Sequence, residues 1–248
     1  MIIIKNREEI RRMRESGRIA ACVREEIARL VSPGITTREL DARAAKLIAA
    51  YGAKSAFLGY RGYPGNVCIS IDSEVVHGIP GDRRIELGQI VSLDIGVLFG
   101  GFVGDTATTV MVGVTDPDVI RLVRSTEQAL MAGIEMARAG KRLGDLSHAV
   151  ESVVNGAGYS VVRDFVGHGV GRKLHEEPQI PNFGTAGVGP KLKVGMTLAI
   201  EPMVNMGEAA VKVLADGWTV CTADGRPSAH FEHTVAICED GPEILTAV

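Results

Sequence analysis

Between Arg7 and Leu30, apolar and small residues return at helical spacing (Ile10, Met13, Gly17, Ala20, Ala21, Ile27 and Leu30), with charged residues between them. Such a stripe predicts one long amphipathic helix. Ser32-Pro33-Gly34 ends it, because Pro and Gly interrupt the period. Thr37 reads as the N-cap of a second helix, Arg38 to Tyr51, closed by Gly52. Another helix pair follows in the middle of the chain. Asp116-Pro117 opens a helix to about Arg138, and Asp145 to Asn155 reads as a shorter one ending around Gly156 and Gly158. Strand-like stretches are Asn66–Ile71, Ile90–Val97, Phe102–Val112, Ser160–Val162, Thr197–Val204, Trp218–Thr222 and Phe231–Cys238. There is no steady strand–helix–strand rhythm, so the pattern predicts an α+β chain with antiparallel hairpins.

The two helix pairs resemble each other. Gly34-Ile-Thr-Thr-Arg-Glu-Leu40 aligns with Gly140-Lys-Arg-Leu-Gly-Asp-Leu146, and Gly52 with Gly158, at a constant offset of 106 residues. Each pair leads into a β-rich stretch that carries acidic residues. The match points to an internal duplication: one domain over 1–248, with halves of roughly 1–115 and 116–248 about a pseudo-twofold axis. Two ordinary amphipathic helices matching by chance would leave the same trace.

Composition narrows the picture. The chain has 248 residues, 46% of them hydrophobic, which is ample for a core. A net charge of -3, from 27 basic and 30 acidic residues, gives no electrostatic reason to expect DNA or an anionic membrane as partner. The opening Met-Ile-Ile-Ile is too short an apolar run for a signal peptide, and no run approaches a membrane span. Cys22, Cys68, Cys221 and Cys238 form no CxxC pair. A cytoplasmic chain with reduced thiols is the expectation.

Chemistry enters at Val91 to Val110, which reads as a hairpin turning near Phe99-Gly100-Gly101. Centring the turn between Phe99 and Gly100 sets Asp94 directly opposite Asp105, with Cβ atoms roughly 4.5–5.5 Å apart. Two carboxylates that close need a proton, a cation or solvent between them. Either a shared divalent ion or a pair of solvated aspartates answers the pattern. Further candidates lie in the second half. His168 stands among glycines in Phe165-Val-Gly-His168-Gly-Val-Gly, and Glu201 and Glu232 interrupt apolar strands. Buried glutamates are rare unless paired or on a metal. One histidine and four carboxylates suit hard or borderline divalent ions. His77 and His175 sit in loops with strong turn signals, where catalytic groups often lie. His148 on its helix face and His233 beside Glu232 read as structural, His233 pointing to the opposite face of its strand.

At this point the chain resembles a known family, the type I methionine aminopeptidases of the short bacterial form. The matching stretches are Gly59-Tyr-Arg-Gly-Tyr-Pro-Gly-Asn-Val-Cys-Ile-Ser, Val76-His-Gly-Ile-Pro, Ser92-Leu-Asp-Ile-Gly, Gly104-Asp-Thr-Ala, Gly167-His-Gly-Val-Gly, Leu174-His-Glu-Glu-Pro and Ile200-Glu-Pro-Met-Val. They run through essentially the whole chain. The resemblance implies the pita-bread (creatinase/aminopeptidase) fold, with two pseudo-symmetric halves around a central antiparallel sheet and helices outside. It implies two divalent ions (Co, Mn, Fe or Zn) on Asp94, Asp105, His168, Glu201 and Glu232, with Asp105 and Glu232 bridging. The implied reaction removes the initiator methionine from nascent polypeptides with a small second residue, by hydroxide attack from the dinuclear centre. Glu201 would move a proton, His175 would stabilise the oxyanion, and His77 would contact the scissile amide. The implied partners are nascent N-termini at the ribosome, and the implied state a monomer.

The implied methionine pocket draws on Tyr60, Tyr63, Cys68 and Trp218, together with Phe57 and Leu174. The last two stand where the family pattern has cysteine and phenylalanine. His230 stands where it has glutamine. Met1-Ile2 puts a bulky residue second, so this chain is expected to keep its own methionine. Two rival readings are a non-catalytic pita-bread relative that binds ribosomes or other proteins, and an Xaa-Pro aminopeptidase. The first should lack some of the five ligands, and the second usually carries an extra N-terminal domain.

Overall fold

The computed structural model describes residues 1–248. Four helices lie outside a central antiparallel sheet: α1 (Arg7–Leu30), α2 (Thr37–Ala50), α3 (Pro117–Met136) and α4 (Leu143–Gly156). α1 begins at a capping box in which the Asn6 side chain accepts the Glu9 N–H and the Glu9 carboxylate accepts the Asn6 N–H. The cap of α2 is Thr36, one residue earlier than expected. Its backbone N–H and hydroxyl both reach the Glu39 carboxylate, while the Thr37 hydroxyl donates to Gly81 O. Two adjacent threonines differ here only in which one stands three residues before the glutamate. α4 likewise starts before Asp145, because Asp145 is its third residue and caps the Arg142 N–H at 2.7 Å.

The repeat seen in the sequence is present in space. α2 and α4 have equal lengths at the 106-residue offset, and Gly34 and Gly140 before them share φ values of 93° and 94°. Isolated bridges Thr36↔Arg84 and Arg142↔Lys191 repeat the same contact ahead of each helix. α1 and α2 bury Ile27, Leu40 and Ile48 against Ile69, Leu93 and Ile95 of one half. α3 and α4 bury Leu130, Leu146 and Val150 against Leu198, Ile200 and Val235 of the other. Gly17 and Gly104 let α1 press onto the sheet, since a Cβ on Gly104 would lie 2.6 Å from Gly17 Cα.

The main sheet runs in the order Lys54–Ser55, Ile90–Phe99, Phe102–Met111, Glu232–Cys238, Thr197–Ile200, Gly167–Gly169, Glu176–Ile180. Cys68–Ile71 adds to Ile90–Phe99, and Gly241–Ile244 to Glu232–Cys238. The hairpin register differs from the expectation. Phe99 pairs Phe102 around a two-residue Gly100-Gly101 turn, so Asp94 faces Ala107 and Asp105 faces Gly96. Both turn glycines have positive φ, 57° and 82°, which this tight turn needs and which only glycine adopts without strain. The shift is two residues, an even number, so the two aspartates stay on one face as diagonal rather than direct neighbours.

The stretch expected as one strand from Thr197 to Val204 is two, Thr197–Ile200 and Met203–Asn205. Pro202 has no N–H for the ladder, so the chain leaves the main sheet just after Ile200. Met203–Asn205 joins a smaller sheet with Ser228–His230 and Ser160–Val161.

Candidate metal centre and active-site cavity

Sheet register alone gathers the acidic residues. Ala107 pairs with Asp94 on one side and Glu232 on the other, and Asp105 lies two residues along the same strand. With a period of two, all these side chains leave the same face. Ile200 pairs His233, so Glu201, the next residue, comes out beside Glu232. His168 pairs Ala199, two residues from Glu201, and therefore shares that face too. Ala107, the smallest side chain of the row, leaves the space between the carboxylates open.

The resulting geometry is tight. One ligand atom each from Asp105, His168 and Glu232 lie within 4.8 Å of one another. His168 Nε2 stands 3.4 Å from Glu201 Oε1 and 3.8 Å from Asp105 Oδ2. Its other nitrogen, Nδ1, is 3.0 Å from Gly169 O, which places the proton on Nδ1 and aims the Nε2 lone pair at the carboxylates. Asp94 Oδ1, Asp105 Oδ1 and Glu232 Oε1 are buried without any hydrogen-bond partner. Burial, with their mutual repulsion, pushes the carboxyls of Asp94, Glu201 and Glu232 well above the usual range. Burial lifts Asp105 to about 7, against a hydrogen bond from the Thr106 backbone. Burial holds the His168 imidazole down at about 3, as a neutral ligand must be. Orphaned acceptors, raised carboxyls and a neutral imidazole on one face are a donor set that a divalent cation satisfies.

A cavity of about 360 Å³ opens over this face. Every residue the sequence nominated borders it: the five acidic and histidine candidates, His77, His175, and Phe57, Tyr60, Tyr63, Cys68, Leu174 and Trp218. Tyr63 is buried, donates its hydroxyl to Gly78 O at 2.9 Å, and meets Trp218 edge-on at 5.1 Å between centroids. Cys68 lies opposite Asp94, and burial together with that carboxylate keeps its thiol neutral. His77 adopts a left-handed φ of 61° and packs edge-on against Phe165 and Trp218. A non-glycine residue held there is constrained by its surroundings, as groups at functional sites often are. Burial depresses the His77 imidazole to about 4. His175 Nδ1 lies 2.8 Å from the Tyr60 hydroxyl, and its ring stands 4.2 Å from that of His168.

The cavity also has walls that sequence reasoning passed over: Val76, Asp164, Phe165, Val166, Gln179, Met203 and Arg61. Gln179 is there because its strand pairs it with His168, a register no local pattern displays. Phe165 and Met203 each flank a nominated residue closely in sequence, and that adjacency was the available signal. His230, unexplained from the sequence, lies 3.7 Å from Glu201 through an Nε2 that has no hydrogen-bond partner. His233 points away as expected, its Nδ1 2.8 Å from Thr246 Oγ1 on the far face. His148 is exposed and 3.3 Å from Gly184 O.

Known proteins resemble this chain in architecture and in sequence. The profile of metallopeptidase family M24 matches residues 11–239. Methionine aminopeptidase 1 of Bacillus subtilis is 50% identical over 248 residues, covering all of both chains. The methionine aminopeptidase of Clostridium perfringens is 51% identical over the same length, again end to end. The crystal structure of methionine aminopeptidase from Thermotoga maritima superposes with a TM-score of 0.98 at 46% identity, covering all of both chains. The pita-bread fold, the ligand-rich face and these end-to-end similarities together make this chain a member of metallopeptidase family M24, within its methionine aminopeptidase group.

Proposed function

We propose that this enzyme removes the initiator methionine from new polypeptides whose second residue is small, using two divalent ions on Asp94, Asp105, His168, Glu201 and Glu232. The observation that carries this reading is the row of partnerless carboxylate oxygens directly beneath a largely apolar cavity. Asp105 and Glu232 lie on neighbouring paired strands where the halves meet, and both would help to hold the ions. Divalent ions bound there supply Lewis acidity toward the scissile carbonyl and toward water.

The remaining work falls to side chains of the chain itself. The walls of Phe57, Tyr63, Cys68, Leu174 and Trp218 take the methionine side chain out of water. With the Tyr60 hydroxyl as donor to His175 Nδ1, Nε2 carries a proton for the oxygen that gains charge in the transition state. His77, neutral across the working range, contacts the scissile amide and assists the leaving amine. Glu201 transfers the proton. The whole of 1–248 serves as one catalytic domain, with halves that meet near residue 115. No helix is long and apolar enough to cross a membrane. A monomeric cytoplasmic enzyme that meets nascent chains at the ribosome fits these features.

Hydrolysis of Met-Ala-Ser and of an Xaa-Pro peptide, each with and without a chelator, tests the reading. Chelator-sensitive release of methionine from the first peptide alone is the expected result. Cleavage of the Xaa-Pro peptide instead, or release that survives chelation, would overturn it. Which of Co, Mn, Fe or Zn the centre selects is read by metal analysis of the enzyme as purified from its own cell.

A further inference from the structure

Lys5 is a buried lysine far in sequence from every residue that borders the cavity. Its Nζ lies 2.6 Å from Glu176 Oε2, and both side chains are only 3% exposed. The other oxygen of Glu176 accepts the backbone N–H groups of Arg172 at 2.9 Å and Lys173 at 3.2 Å. Glu176 directly follows His175 and begins the strand Glu176–Ile180. One carboxylate thus closes the 172–176 loop on itself and ties it to the N-terminal segment.

The segment is seated to match. The Lys5 N–H donates to Gly195 O at 2.7 Å. Any Cβ on Gly171 would lie 2.6 Å from Lys5 Cε and 2.7 Å from Glu176 Oε1, and one on Gly195 would lie 2.6 Å from Ile4 Cγ2 and from Lys5 O. Gly171 therefore leaves the space the pair occupies, and Gly195 the space for the backbone that carries Lys5. A second tether joins Arg172 to Glu9 at 3.2 Å, at the start of α1.

Nothing in the folding of a surface loop calls for a buried charge pair 171 residues apart in sequence. We propose that Lys5, through Glu176, is a positioning residue for His175: the ion pair holds the loop so that the imidazole meets the reacting oxygen. This rests on the role given to His175 above. A donor that acts on charge developing in the transition state contributes to kcat, and small misplacement of it is felt there rather than in KM.

The test is a cycle of Lys5→Met and His175→Ala on Met-Ala-Ser, with Mn2+ affinity measured by calorimetry and folding by circular dichroism. Lys5→Met is expected to lower kcat about 10- to 100-fold, the scale of an ångström-level misplacement. KM and Mn2+ affinity should stay near wild type. In the His175→Ala background, Lys5→Met should change kcat by no more than about twofold, because the group it positions is gone. Glu176→Gln keeps the shape of the carboxylate and should reproduce the cycle if Lys5→Met fails to fold. Wild-type kcat in both Lys5→Met and Glu176→Gln, or an equal loss in both backgrounds, would overturn the proposal. Full activity of His175→Ala alone would overturn the site assignment instead, so the two failures are distinguishable.

Discussion

Gly96 and Phe57 offer a sharp test of how the cavity is built. Gly96 pairs Asp105 across the hairpin, and its φ lies outside the region reserved for glycine, so alanine costs nothing there by backbone strain. The obstacle is Phe57. A Cβ on Gly96 would lie 2.8 Å from Phe57 Cζ and 2.9 Å from Cδ1, and nearer still to Cε1. Carbon atoms pack best at about 3.5–4.0 Å, so the ring must move by roughly 1 Å. Phe57 is 7% exposed and borders the cavity, so the displaced ring reshapes the proposed methionine pocket. Overpacking of this kind costs about 1–3 kcal/mol. Gly96→Ala is therefore expected to raise the KM for Met-Ala-Ser and lower the unfolding free energy by that amount. Phe57→Ala removes the ring, and in that background Gly96→Ala should cost less than about 0.5 kcal/mol and leave KM unchanged relative to Phe57→Ala alone. Steady-state kinetics and urea unfolding on the four proteins complete the cycle. Equal effects of Gly96→Ala with and without the ring would refute the reasoning and shift the cause to the backbone of the hairpin.

Three further outcomes are expected. Ala107→Val adds bulk between Asp94 and Glu232 and should abolish the rise in melting temperature on adding Mn2+, while the chelated protein remains folded; a normal metal-induced shift in a thermal scan would count against the register given above. Asp94→Asn or His77→Ala should lose most of the activity on Met-Ala-Ser at saturating metal, and retention of full activity would remove either residue from the mechanism. The third concerns pH. His77 titrates near 4 in the folded chain because it is buried, against an ordinary value of 6.5. Its neutral form is favoured by folding, so the stability it contributes is present above 6.5 and lost as pH falls toward 4. By linkage the full loss is about 3 kcal/mol. His77→Gln cannot titrate, so denaturation from pH 7 to 4 should show the variant gaining on wild type by up to that amount. A constant difference across the range would sink the assignment.

Much of the molecule was legible locally. The stripe from Ile10 to Leu30 marks α1 because burial on one face imposes the helical period. The glycines at 34, 52, 140 and 158 mark helix boundaries because their positive φ values strongly favour glycine, which is why the 106-residue repeat survives in the sequence. Glu201 and Glu232 stood out because a carboxylate inside an apolar strand needs a partner. The motifs around them carried the family resemblance, which the end-to-end similarity to methionine aminopeptidases bears out.

Other features are properties of pairing, and no local pattern holds them. The turn at Gly100-Gly101 and its neighbour one residue earlier read alike until the twist of the strands selects the two-glycine turn, and that choice set Asp94 opposite Ala107. Whether a lysine at position 5 meets a glutamate at 176 depends on how the N-terminal segment lies over Gly171 and Gly195. The sequence by itself determined the four helices, the longer strands, the identity of the metal-binding candidates and the chemistry they suit, because residue type and period are local quantities. Only the tertiary structure decided which of those side chains share a face and what lies between them. Register across five neighbouring strands, from Ile90–Phe99 to Gly167–Gly169, is set by long-range packing, and it alone brings a row of scattered residues under one cavity.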